Sequence, residues 1–166
     1  MGFIFQKLII DREEKKMILK ELNRADLPLI SEIVELEEEA FGGKGGVDLW
    51  ILKALLRYGK VFVLEKEEKI ISIVEYMQCF DKKEVFLYGI CTLREFRHMG
   101  NAKKIMNESE KYLKEKGYEA ISLTVDPENK IAIEMYKHLG YEIVEYQENE
   151  YGNGIHRYLM KKILVI

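Results

Sequence analysis

The sequence predicts one three-layer α/β domain built on a mixed β-sheet. Three observations carry this. Short runs rich in Val, Ile, Phe and Tyr alternate with segments whose apolar residues recur every three to four positions. Capping and turn residues fall between them. The chain has 166 residues, 48% hydrophobic and 33% charged, which suits one ordinary domain that builds its own core without a metal or disulfide staple.

Residues 1–16 read as an extension of unclear role and 17–166 as the domain proper, because Met17–Leu22 is the first regular strand pattern. Asp26 is the expected N-cap of a first helix, with Leu27, Ile30, Ile33, Val34 and Phe41 on its apolar face. The run Gly42-Gly43-Lys44-Gly45-Gly46 breaks the pattern, and Asp48 then caps a second helix, Leu49–Tyr58. Val61–Glu65 and Ile70–Tyr76 are strands joined by a charged turn over Lys66–Lys69. Val85–Thr92 is a fourth strand. Gly100–Lys116 is a long helix with Ala102, Ile105, Met106, Ser109, Tyr112 and Leu113 on one stripe, and Gly117 stops it. Ile121–Val125 is a fifth strand. Asp126-Pro127 is expected to cap and open the next helix, whose apolar face is Ile131, Ala132, Met135, Tyr136 and Leu139. Tyr141–Tyr146 and His156–Ile163 are the last two strands.

Composition closes several function classes. There are 26 basic and 29 acidic residues, a net charge of −3, and neither half is basic, which argues against a nucleic-acid binder. Apolar runs are too short for a membrane span. The two cysteines, Cys79 and Cys91, have no CxxC spacing, and His98, His138 and His156 lack zinc-site spacing, so neither a disulfide framework nor a metal is expected. The N-terminus lacks a basic region and a cleavage site, so a signal peptide is not expected, and the sparse cysteines lead us to expect a reducing, cytoplasmic location. The apolar end Ile163–Ile166 is expected to cover an edge or a second protomer, as in a homodimer.

The chemistry concentrates in one stretch. Leu87-Tyr88-Gly89-Ile90-Cys91-Thr92 leaves the core and enters the long helix through Arg97-x-x-Gly100-x-Ala102. Main-chain N–H groups at a helix start have no partner and point outward, so they seat an anion, and the helix dipole helps. Gly100 permits close approach, Ala102 stays small, and Arg97, Lys103 and Lys104 add positive charge. No GKT, GKS or GxGxxG pattern occurs there, which excludes a Walker loop and a dinucleotide fingerprint.

Downstream comes Asn129-x-x-Ala132-x-x-x-Tyr136-x-x-x-Gly140-Tyr141. This order of strand, phosphate loop, helix, strand and second motif resembles the GCN5-related N-acetyltransferases (GNAT). The likeness spans Met17 to Ile163 in element order and is residue-specific from Tyr88 to Tyr141. It implies a GNAT-type sheet whose fourth and fifth expected strands splay apart around the pantetheine arm of acetyl-CoA. On that pattern Ile90, Cys91 and Thr92 pair with the arm through backbone groups. Arg97, His98, Met99, Gly100, Asn101, Ala102 and Lys103 match the diphosphate loop. Asn129 matches a cofactor-contacting asparagine, and Tyr136 the tyrosine near the thioester sulfur. The segment after the first helix frames the acceptor, which makes Phe41 and Glu39 candidate acceptor contacts together with Glu75, and gives the glycine run a lid's place. Asn129 as a plain helix cap and Tyr136 as a core aromatic are the alternatives. Cys91 reads as a buried strand residue rather than a nucleophile.

The implied reaction is direct transfer of an acetyl group from acetyl-CoA to a primary amine, of a small molecule or a peptide. An amine of pKa near 10.4 is neutral in only about one molecule in 2,500 at pH 7, a deficit of about 4.6 kcal/mol, so a base must help. Some relatives carry a glutamate on the strand before the loop, where this chain has Phe86. Glu84, Tyr88 and Glu75 are the nearby candidates, with water as the alternative. Tyr136 would donate to the leaving thiolate. Five glutamates within Ser31–Glu39 either favour a cationic amine or form a solvated helix face. Two other classes stand beside the transferase: a non-catalytic acyl-CoA-binding domain on the same fold, and an unrelated nucleotide-binding α/β domain.

Overall fold

The computed structural model describes residues 5–10, 16–42 and 46–164. Among these are eight strands, β1 (Gln6–Ile10), β2 (Lys16–Glu21), β3 (Gly59–Lys66), β4 (Lys69–Gln78), β5 (Glu84–Thr92), β6 (Ala120–Val125), β7 (Glu142–Gln147) and β8 (Arg157–Ile163). Four α-helices accompany them: α1 (Leu27–Phe41), α2 (Leu49–Tyr58), α3 (Asn101–Glu115) and α4 (Lys130–His138). The chain forms two compact units, one of Met1–Met77 with Tyr88–Ser109, the other of Gln78–Leu87 with Glu110–Ile166.

In the first unit β1, β2, β3 and β4 pair antiparallel in sequence order, and the end of β5 lies beside β4. β3 and β4 read as nearly continuous apolar runs because both faces are covered. On one face Val61, Val63 and Ile73 pack with Ile30 and Ile33 of α1 and Leu52 and Leu55 of α2. Facing the other way, Tyr76 brings its hydroxyl 2.8 Å from Ser109 Oγ of α3 and stands edge-on to Phe62. Helices on both sides of a sheet give the expected three layers. Local chemistry sets their ends: Asp26 accepts from the Leu29 N–H at 3.5 Å, and Asp48 from the Ile51 N–H at 2.8 Å. Part of the expected extension is therefore a strand of this sheet, pinned further by the Glu21 N–H donating to the Phe5 carbonyl at 2.9 Å. Residues 1–4 and 11–15 of that extension, and Val165 and Ile166 of the apolar end, lie outside the described residues.

In the second unit the start of β5 runs parallel to β6, β6 pairs antiparallel with β8, and β8 with β7. The parallel pair follows from the crossover through α3. The ladder joins Glu84–Leu87 to Ala120–Leu123 and stops there, although β5 continues to Thr92 and β6 to Val125. Tyr141 donates to Glu110 Oε1 at 2.8 Å, and Lys162 Nζ lies 2.5 Å from Glu110 Oε2, so this buried carboxylate is paired.

Three details differ from the sequence reading. Asp126 does not cap α4; Asn129 does, its Oδ1 accepting from the Ala132 N–H at 3.1 Å, while Asp126 closes the preceding turn through the Glu128 N–H. On α4 Ile131 points to solvent and Ile133 takes the buried place. Leu27, expected on the apolar face of α1, is 61% exposed, whereas Glu37 is 1% exposed.

Candidate active site

The predicted phosphate loop lies wholly in the first unit. The end of β5 is clamped to β4, because Ser72 Oγ donates to the Cys91 carbonyl at 2.9 Å and lies 2.8 Å from Thr92 Oγ1. The Leu93 N–H donates to the Ile71 carbonyl at 3.0 Å. Strand alternation then turns the main-chain groups of Ile90 and Thr92 away from β4. Beyond the strand the loop folds back on itself. Arg97 Nε donates to the Thr92 carbonyl at 2.9 Å, and the Asn101 side-chain amide to the Phe96 carbonyl at 2.9 Å.

His98 (φ 62) and Gly100 (φ 76) both adopt left-handed backbone, which brings the chain abruptly into α3. A Cβ on Gly100 would meet nothing within 4 Å, so conformation rather than space calls for glycine. The first intrahelical bond runs from the Lys104 N–H to the Gly100 carbonyl at 3.0 Å. The N–H groups of Asn101, Ala102 and Lys103 thus have no intrahelical acceptor and sit at the positive end of the helix. Arg97, His98, Met99, Gly100 and Lys103 are exposed, while the Asn101 side chain is buried in its loop-holding role and offers a ligand only its main chain.

Two buried carboxyls adjoin this stretch of β5. Glu75 of β4 is fully buried, and among the described residues neither of its oxygens has a hydrogen-bond partner. A Cβ on Gly89 would stand 2.6 Å from Glu75 Oε2, so the glycine makes the room the carboxyl occupies. Glu37 of α1 accepts from the Val47 N–H at 3.4 Å through Oε2, and among the described residues its Oε1 has no partner. Burial, and then the charge of Glu37, push Glu75 well above the ordinary carboxylate range. Burial raises Glu37 as well, partly offset by hydrogen bonds from the Cys91 thiol and the Val47 N–H. Cys91 is buried, and burial followed by the Glu37 charge raises its thiol far beyond neutral pH, so it carries no thiolate. Glu37 went unnoticed in the sequence because it sits among five glutamates. Its signal is spacing: Ile30, Ile33 and Glu37 share one helical stripe. The other four glutamates of that run are exposed, Glu39 included, and Phe41 is half-buried at the end of α1. Residues 43–45 of the glycine run lie outside the described residues.

The second unit holds the remaining candidates. Asn129 is exposed and spends Oδ1 on its cap, which leaves the side-chain N–H groups for a ligand. Tyr136 is buried on α4, edge-on to Tyr141 at 5.7 Å, and burial pushes its hydroxyl up to about 12. Glu84 pairs with Lys161 at 2.6 Å. Burial raises its pKa, but the hydrogen bonds from Lys161 and Ser122 and the charges of Lys161 and Lys82 outweigh that and hold it below the usual range, so it is a poor proton acceptor. Among the described residues no cluster of His, Cys, Asp and Glu could hold a metal ion, and no helix is long and apolar enough to cross a membrane.

The family model described as "Acetyltransferase (GNAT) family" matches residues 28–141, and the chain belongs to that family. More particularly, it is 32% identical over 100 residues to an uncharacterized N-acetyltransferase of Methanocaldococcus jannaschii. That match covers 56% of this chain and 44% of the relative, so it spans less than half the relative's length. The fold matches the ribosomal-protein-S18-alanine N-acetyltransferase of Escherichia coli (TM-score 0.75, 18% identity, 90% of this chain and 95% of that one). It also matches the aminoglycoside 6'-N-acetyltransferase of Enterococcus faecium (TM-score 0.77, 15% identity, 89% and 97%). One of these names a protein acceptor and the other an antibiotic, so the shared fold leaves the acceptor open.

Proposed function

We propose that this chain transfers the acetyl group of acetyl-CoA directly to a primary amine. The observation that carries the reading is the β5–α3 junction: three N–H groups without intrahelical acceptors, next to Arg97 and Lys103, in the stretch whose Arg97-x-x-Gly100-x-Ala102 motif resembles the family's diphosphate loop. The diphosphate would sit on Gly100–Lys103, and the pantetheine arm would pair with the outward main chain of Ile90 and Thr92. The Ile90 N–H would also stabilise the oxyanion of the tetrahedral intermediate.

Tyr136 supports the departing sulfur as a hydrogen-bond donor. With its hydroxyl near 12 and an ordinary thiol near 8.5, complete proton transfer to the thiolate would cost about 5 kcal/mol, so the sulfur gains its proton finally from solvent. Asn129 would donate its amide to the coenzyme. The acceptor is an amine of a small molecule or a peptide. Cys79 and Cys91 are both free, which suits a reducing, cytoplasmic setting.

Phe86, standing where some relatives carry a glutamate, favours the second reading of an acyl-CoA-binding module without turnover. A thiol-release assay with acetyl-CoA against a panel of small amines and N-terminal peptides separates the two. Transfer gives free thiol matched by acetylated amine. A rise in melting temperature with CoA but no thiol on any amine refutes transfer, and no CoA binding at millimolar concentration refutes both.

A further inference from the structure

The first unit buries two carboxyls that the fold alone would not select. Both are buried in a unit whose core cluster includes Ile33, Leu55, Val61 and Ile73. Among the described residues neither Glu75 nor Glu37 makes an ion pair, and three of their four oxygens have no partner. Burying such groups is unfavourable. The sequence makes a second concession at the same point, because Gly89 gives up a strand side chain so that Glu75 fits. Two locally unfavourable choices that meet at one place indicate a requirement other than stability.

We infer that the Glu75–Glu37 pair takes the proton which the acceptor amine must lose before it attacks the thioester. This rests on the acetyl-transfer reading above. Position supports it: Glu75 Oε2 lies against Gly89, the residue before Ile90, whose main chain would hold the reacting thioester. The candidates also narrow, since Phe86 cannot accept a proton and Glu84 is held ionised by Lys161, which leaves Tyr88 beside Glu75. The titratable groups facing Glu75 are Glu37 from α1 and Cys91 from β5. Tyr88 packs against the same cluster, and Arg97 acts on Cys91. On β3, Val61 stands opposite Glu75 in the ladder. Burial and mutual repulsion bring the pair's proton affinity closer to that of an amine than a surface carboxylate's, which makes the uptake less uphill.

The step balances. The ammonium gives one proton, through an intervening water, to the ionised pair. The nitrogen lone pair then forms the C–N bond at the thioester carbon, and the C–S bond breaks with its electrons on sulfur. The attacking nitrogen loses its second proton, the thiolate gains one, and the pair returns its proton to solvent. The pair acts through water and belongs to the positioning residues.

The test compares wild type, Glu75→Gln and Glu37→Gln in thiol release across pH 6 to 9.5, with CoA-dependent melting as the control for fold and coenzyme binding. For Glu75→Gln we expect kcat to fall about 10²- to 10⁴-fold with the acetyl-CoA KM and the melting shift retained. Its rate should then climb about tenfold per pH unit with no acid plateau, as for an unassisted amine. Glu37→Gln should move the acid limb, and carbon-13 titration of the wild-type glutamate carboxyls should show a value coincident with that limb. Activity within threefold of wild type, or lower activity on an unchanged pH profile, overturns the inference while leaving the transfer reading intact. A wild type that releases no thiol refutes the transfer reading and this role with it.

Discussion

Replacing Glu75 by Gln should stabilise the protein increasingly as pH rises. In the folded chain Glu75 holds its proton to well above the ordinary 4.5, whereas in the unfolded chain it ionises near that value. Between those two limits the folded state binds more protons than the unfolded one, so stability falls with rising pH. The contribution is complete below the unfolded value and lost as pH climbs through the folded one. The loss proceeds at about 1.4 kcal/mol per pH unit for one group. Glutamine carries no titrating proton and escapes it. Denaturant unfolding of both proteins at half-unit steps from about pH 5 to pH 8 should show the stability difference growing at about that slope until the folded carboxyl ionises. The basis of the calculation is that both oxygens are buried with no partner among the described residues. A difference that stays constant across the range would show that Glu75 titrates normally and would refute the reasoning, whatever its part in turnover.

Three further outcomes follow from particular residues. Tyr136→Phe should lower kcat by about tenfold to a hundredfold with little change in acetyl-CoA KM, and because the hydroxyl sits near 12 the wild-type rate should show no basic limb from it up to about pH 10 in a pH–rate profile. Gly100→Ala should weaken CoA binding about fivefold to tenfold by calorimetry, because left-handed backbone costs a residue with a Cβ about 1 kcal/mol or more and nothing nearby would compensate. Asn129→Ser should keep the α4 cap, leaving stability within about 0.5 kcal/mol, yet lose the amide donor and weaken CoA several-fold; equal losses in both measurements would reduce Asn129 to a cap.

Much of this protein was legible because it is local. Asp26 and Asp48 cap their helices as written, since a cap needs only a short side chain and the two or three N–H groups that follow. The turn at Glu67 and Glu68 and the left-handed stop at Gly117 are likewise settled within a few residues. The phosphate loop was visible for the same reason: a strand, Arg97, Gly100 and a helix start define the anion seat by backbone geometry alone. The α4 boundary was not, because Asp126 and Asn129 are both competent caps, and the turn that carries the Asn129 N–H to the Asp126 carbonyl chose between them.

The sequence by itself determined the order of the elements from Met17 onward, the turns between them and the loop with its family motif, because each is an interaction among near neighbours along the chain. Tertiary structure alone decided that Gln6–Ile10 pairs with β2, that Ile133 rather than Ile131 turns inward, and that Glu37, of five similar glutamates, meets Glu75 beneath Gly89. Burial is a property of what packs on the other side of a side chain. Residues 37, 75 and 89 lie on three elements far apart in sequence, so the environment that sets their chemistry exists only once those elements have come together.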